Sequence, residues 1–316
     1  MALGAALAAL PVAAPSAYAL TLFNIIGLYA IVTVGLVLLG SSGQVSLGQA
    51  AFYGIGAYVS ALLAKDLGWS TLATVPLAIV CVAGAAYLVG LPTLRLADHF
   101  FVLATLGVGI IVNVLMIQMV PVTGGASGLR DIPGLGAWGL RVTTDRQFYY
   151  VVWTCVLAAV LVARNVTSHR TGRALRAILG SEVGAAALGI DVARYKMQVF
   201  VLSAAYAALA GALYAHYVRF ISPSPFSLYA SLFFLVMAVV GGLTNIWGGL
   251  VGAAAVTVLD QVIRAEMPLV FPRVGGEYQT AIYGILLIVI MLFFPAGLVR
   301  RALDLGRTRR EAGGET

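Results

Sequence analysis

Ionisable side chains are scarce in this sequence, so the few that fall inside apolar runs are the first candidates for chemistry. The chain has 316 residues, with 12 Asp and Glu and 19 Lys and Arg. Asp260 is the main acid within an apolar run, near its end and beside Gln261 and Arg264. Uncharged polar residues in or near such runs are Gln44, Ser46, Gln49, Asn113 and Gln118. In lipid such a group either bonds a neighbouring helix or lines a path for a polar solute, and spacing alone leaves both readings open. The three histidines (His99, His169, His216) are scattered without ligand spacing, and Cys81 and Cys155 sit in apolar runs as packing residues. Neither a metal site nor a disulfide is expected. There is no G-x-x-x-x-G-K-[ST] phosphate cradle, and no cluster of catalytic groups, so the chain is not expected to be an enzyme or to bind a cofactor itself.

The elements that must hold these residues are membrane spans. The composition is 61% hydrophobic and 10% charged, with a mean hydropathy of +0.99. Soluble domains carry about 25% charged residues. A spanning helix needs roughly 20 apolar residues, and no alternating barrel pattern is present. The predicted class is an all-α integral membrane protein, a polytopic bundle of about ten (eight to ten) transmembrane helices. A short first helix is expected over 1–15, with a signal peptide as the alternative reading of Ala17-Tyr18-Ala19; no basic n-region precedes it. Further spans are predicted over 19–40, 47–64, 71–91, 99–121, 148–163, 198–217, 229–246, 249–265 and 278–295.

The net charge of +7 is concentrated between Arg164 and Lys196 and between Arg300 and Arg310, beside spans. That distribution fits cytoplasmic loops under the positive-inside rule rather than a nucleic-acid surface. An even number of predicted spans separates the two clusters, which puts both on the cytoplasmic side and 122–147 outside. The expected division is a permease domain over 1–299, with a cytoplasmic loop at 164–197 and an external loop at 122–147, and a basic cytoplasmic tail over 300–316.

Within the cytoplasmic loop, a short helix is punctuated at both ends. Ser181 is a good N-cap, Glu182 lies in the first turn where negative charge suits the dipole, and Gly189 is placed to end the helix. So small a helix is marginal alone. It fits either a groove on a partner or a connector held on anionic lipid by Arg173, Arg176, Arg194 and Lys196. Glycine clusters around Gly43, Gly48, Gly54 and Gly56, and around Gly241, Gly242, Gly248, Gly249 and Gly252, fit close helix packing or interrupted helices along a pathway.

Glu182 to Asp191 resembles the E-x-x-A-x-x-x-G loop through which importer permeases contact their ATPase subunits. Gly43-Gln-Val-Ser-Leu-Gly-Gln-Ala-Ala-Phe-Tyr-Gly-Ile-Gly-Ala-Tyr58, Thr123-Gly-Gly-Ala-Ser-Gly-Leu129, Arg173-Ala-Leu-Arg-Ala-Ile178, Phe220-Ile-Ser-Pro-Ser-Pro-Phe226 and Val239-Val-Gly-Gly-Leu-Thr-Asn-Ile-Trp-Gly-Gly-Leu-Val-Gly252 resemble, in order, segments of LivM-type permeases of branched-chain amino acid ABC transporters. Together they cover most of 25–298. The chain departs from the family pattern at Gly184, at Gly180-Ser181, and at Ile110 and Phe233, where many relatives carry glutamate.

The resemblance implies the larger importer-class permease fold in a bacterial inner membrane. It also implies a second LivH-like permease or second copy, two ATPase subunits carrying ATP and Mg, and an extracytoplasmic solute-binding protein. Ser181, Glu182, Ala185, Ala186, Leu188, Gly189 and Ile190 become the ATPase-coupling residues, and Gln44, Ser46, Gln49, Asn113 and Gln118 candidates for the path. Branched-chain amino acids are the implied solute; relatives of this type also import urea, short amides and small organic acids. A stand-alone secondary carrier is disfavoured by the scarcity of intramembrane charge.

Overall fold

A computed structural model describes residues 17–96, 98–137, 140–243 and 245–270. The expected helix at 1–15, the span at 278–295 and the basic tail lie outside the described residues. The elements are α1 (Ala17–Gly40), α2 (Gln49–Lys65), α3 (Thr71–Thr93), α4 (Asp98–Gln118), the single turn α5 (Val120–Thr123), α6 (Asp145–Ser168), α7 (Arg170–Gly180), α8 (Glu182–Ala187), α9 (Val192–Val218), α10 (Leu228–Gly241) and α11 (Ile246–Val270). A two-residue antiparallel pair, β1 (Gly136–Ala137) and β2 (Leu140–Arg141), lies between α5 and α6.

Among the described residues, six helices are long and apolar enough to cross a membrane: α1, α3, α4, α6, α9 and α11. The other two predicted spans form as shorter helices, α2 with 17 residues and α10 with 14. At 1.5 Å per residue, α2 measures about 25 Å and α10 about 21 Å, below the roughly 30 Å of a hydrocarbon core.

The crossing helices are not equivalent. In α1 and α9, 78% and 72% of the apolar window is buried inside the protein, against 22% in both α3 and α4. Buried Leu28, Ile31, Leu36 and Leu38 of α1 therefore sit at the centre, with α2 wedged beside α9. The outer helices turn residues such as Leu88 of α3 and Leu103 and Ile111 of α4 outward. In water that outward face would be costly; in a bilayer it is the face that belongs in lipid.

Small residues set the central spacing. A Cβ on Gly211 of α9 would meet the Tyr53 carbonyl of α2, and one on Gly56 would meet the backbone of Ala208. Backbones approach this closely only where side chains are absent. Aromatic rings fill the adjoining space: Tyr53 packs against Phe226 and Phe234, each with ring centroids 5.5 Å apart.

Local caps move the helix ends beyond the apolar runs. At Thr144 a capping box is formed: the hydroxyl accepts from Gln147 N, and Gln147 Oε1 accepts from Thr144 N. It starts α6 at Asp145 rather than at 148. Asp191 Oδ1 accepts from Arg194 N at 3.0 Å and starts α9 at Val192 rather than at 198. The segment 164–197 is thus mostly helix, and α7 within it had not been expected.

Candidate functional site

Three of the five candidate path residues belong to one interrupted helix. After α1 ends at Gly40, the chain runs without helix until Gln49 begins α2. Gln49 Nε2 donates to Ser203 Oγ at 2.8 Å. Ser203 lies eleven residues into α9, about 17 Å along its axis. α2 therefore begins deep inside the bundle.

Irregular backbone at that depth leaves N–H groups that lipid cannot satisfy, at several kcal/mol each. Hydroxyls satisfy them here. Leu47 N donates to Thr105 Oγ1 at 3.1 Å, Gly48 N to Ser46 Oγ at 3.2 Å, and Ala50 N to Ser231 Oγ at 3.0 Å. The Ser42 hydroxyl lies 3.1 Å from Gln44 Oε1. Gln44, Ser46 and Gln49 are all buried. Gln49 Oε1 is buried with no hydrogen-bond partner among the described residues, so one acceptor at the head of α2 is left open.

The other two candidates lie elsewhere. Asn113 donates from Nδ2 to the Pro223 carbonyl at 3.0 Å and lines a cleft with Ile117, Ala126, Ser224 and Ser227. Gln118 is exposed at the end of α4, and the structure does not bring it to the interrupted helix.

A second cleft, of about 400 Å³, opens between α1, α10 and α11 and shares Ser224 and Ser227 with the first. Its polar lining includes Asp260, Gln261, Arg264, Tyr29, Tyr214 and Tyr229. Arg264 Nε donates to Asp260 Oδ2 at 2.9 Å. The sequence had marked Asp260, Gln261 and Arg264 but not the cleft. With Thr257, their spacing of three and four residues already places them on one helix face. The tyrosines come from three other elements and carry no local signal.

The end of the bundle carrying 122–147 is closed by long-range bonds. Leu129 and Ile221 exchange backbone bonds of 2.8 and 3.1 Å. The Thr71 hydroxyl donates to the Gly136 carbonyl at 2.8 Å and accepts from Gly136 N at 2.7 Å. His216 bridges Pro133 O and Ser60 Oγ, each at 2.8 Å.

At the opposite end, the short helix expected after Ser181 is present as α8. Ser181 Oγ accepts from Gly184 N at 3.1 Å. At the other terminus Gly189 has φ +79°; its N–H bonds Ala186 O and that of Ile190 bonds Ala185 O. This pairing is a Schellman motif, and the left-handed residue it requires explains the glycine. Ala185 is buried and Ile190 half-buried, whereas Ser181, Glu182, Ala186, Leu188 and Gly189 are exposed. Two large apolar side chains face outward, Val183 at 82% and Leu188 at 80% exposure. Glu182 pairs with Lys196, which is buried at the base of α9. Lys196 is thereby withdrawn from the lipid-facing role considered for it.

These features define a polytopic helical membrane protein, with a half-helix in its core and a capped, exposed loop at one end. The family described as branched-chain amino acid transport system / permease component matches residues 18–291. The chain is 32% identical over 296 residues to the high-affinity branched-chain amino acid transport system permease protein LivM of Escherichia coli, across 86% of this chain and 68% of that protein. The LivM of Salmonella typhimurium is 31% identical over the same shares. LivH of Escherichia coli is 25% identical over 294 residues, across 86% of this chain and 91% of its own length. No solved structure matches. The chain belongs to the branched-chain amino acid transport permease family.

Proposed function

We propose that this chain is the pathway-forming permease subunit of an ATP-binding-cassette importer for branched-chain amino acids, multi-pass in a bacterial inner membrane. The observation that carries the reading is α8: a helix of six residues capped at both ends and presenting Val183 and Leu188 to the surroundings. Caps serve any helix end, but two large apolar side chains held outward on so short a helix add nothing to the chain's own packing. A groove on an ATPase subunit gives them a surface to pack against.

In this reading the segment 164–197 is cytoplasmic, 122–147 is external, and the permease is a bundle of about ten transmembrane helices. Ser181, Glu182, Ala185, Ala186, Leu188, Gly189 and Ile190 transmit ATPase closure to α9 through the Glu182–Lys196 pair. ATP and Mg act on two separate ATPase subunits. Similarity to both LivM and LivH relatives supports pairing with a second permease of the same family. An extracytoplasmic binding protein delivers the solute.

The test is uptake of labelled L-leucine by proteoliposomes holding the chain with its partner subunits. Glu182→Lys is expected to abolish uptake while leaving ATP hydrolysis and membrane insertion in place. Uptake by the isolated chain without ATPase or ATP would sink the reading.

A further inference from the structure

We propose that the cleft between α1, α10 and α11 is a solute subsite that reads both charges of a free α-amino acid, Asp260 facing the ammonium and Arg264 the carboxylate. The proposal rests on the permease reading above and names residues for solute recognition that lie outside the interrupted helix.

The pair is only half used within the chain. Arg264 engages Asp260 through Nε and Oδ2. Asp260 Oδ1 and the two terminal amino groups of Arg264 have no hydrogen-bond partner among the described residues. A guanidinium edge left open in this way matches a carboxylate in its own plane, and an open carboxylate oxygen matches an ammonium.

An i,i+4 pair is worth only about 0.2–0.5 kcal/mol to a helix, too little to explain charges in the last turns of a membrane-crossing segment. Asp260 is the more buried of the two, its side chain 20% exposed. Arg264, one residue from the end of the apolar span and 56% exposed, keeps its guanidinium open to an incoming solute. Thr257, one turn before Asp260 on the same face, lines the cleft with its hydroxyl buried and unpartnered among the described residues. It supplies one more polar contact for a ligand.

Leu22 and Ile25 of α1 and Phe233 of α10 add an apolar surface to the lining, beside the tyrosines and serines already named. A cavity of about 400 Å³ with two opposite charges, a free hydroxyl and an aliphatic-aromatic wall has the features of a zwitterion carrying a hydrocarbon side chain. The opposed charges set it apart from a metal site, which would need converging carboxylates, and Asp260 is the one carboxylate in its lining among the described residues.

The experiment uses the assembled transporter in nanodiscs with the binding protein left out, so that its selectivity does not intrude. Binding of tritiated L-leucine is measured, together with competition by leucinamide, which lacks the carboxylate, and 4-methylpentanoate, which lacks the ammonium. Arg264→Gln and Asp260→Asn are each expected to weaken leucine binding roughly tenfold or more, as loss of a charged hydrogen bond does. In Arg264→Gln the disadvantage of leucinamide relative to leucine should disappear, and Arg264→Lys should restore part of it; a purely structural role would leave that ratio unmoved.

Unchanged affinity in both variants, or no leucine binding to the wild-type assembly, would overturn the subsite. If either charge variant fails to assemble, Thr257→Val decides: a several-fold loss supports the subsite and an unchanged affinity removes it. Failure of the permease reading looks different, because the complete wild-type transporter would then import no leucine at all.

Discussion

The two ends of the bundle are built on opposite plans. At the 122–147 end, hydrogen bonds join residues far apart in sequence: Thr71 to Gly136, His216 to Pro133, Leu129 to Ile221. At the 164–197 end they are local: Ser181 to Gly184, Asp191 to Arg194, Arg176 to Thr167. The Glu182–Lys196 pair reaches somewhat further, from α8 to the base of α9. One end is welded to the helices beneath it, and the other is a self-contained module resting on them. A welded end makes a fixed rim, while a module can shift as a unit without breaking the bundle.

Substitutions can break this contrast, and the largest effect is expected at Gly128. Its φ of +72° and ψ of 178° suit glycine alone, and a Cβ there would meet the Ile221 carbonyl. Gly128→Val is expected to cost about 3 kcal/mol, read as a lower thermal midpoint of the solubilised protein. An unchanged midpoint would show that the rim is not welded.

Next comes Thr71→Val, which leaves both polar groups of Gly136 unpaired and should cost about 1–3 kcal/mol by the same measurement. Gly189→Ala is the matched case at the other end. It too has a positive φ, of +79°, but nothing lies within 4 Å of the added methyl. The expected cost is about 1 kcal/mol, confined to α8. Faster hydrogen exchange over Glu182–Ala187 with an unmoved global midpoint would confirm the separation, whereas a midpoint that falls with it would join the two ends energetically.

The smallest effect on stability is expected for Val183→Asp, whose side chain touches little of the chain. Here the thermal midpoint should stay put while recovery of the ATPase subunit with the permease drops. Full recovery would mean that α8 is not the docking element.

Much of this arrangement was readable from residue order, for identifiable reasons. Each apolar run within the described residues became a helix, because a run such as 71–91 has no other stable form in lipid. Ser181 and Gly189 carried α8, since caps are local chemistry. Limits went astray where a polar residue extended a helix past its apolar run, as Thr144 and Asp191 do. α7 was missed because its buried Ala174, Leu175 and Ile178 are few and lie among arginines.

The depth of Gln49 was not readable at all. Only Ser203 and Ser231, far along the chain, reveal that α2 starts inside the bundle. The cleft was half readable, its charged face lying on one helix and its tyrosines on three others.

The interrupted helix also bears on biosynthesis. When α2 emerges from the ribosome, Ser203 and Ser231 have yet to be made, so Gln49 and the N–H of Ala50 have no hydroxyl to meet. The stretch from Gly40 to Lys65 must then wait, wet or chaperoned, until α9 and α10 arrive. Membrane integration of this protein is expected to finish in an order different from its synthesis, with α2 among the last segments to settle. Chains truncated before Ser203 should leave α2 accessible to water-soluble labelling reagents, and chains extended past Ser231 should protect it.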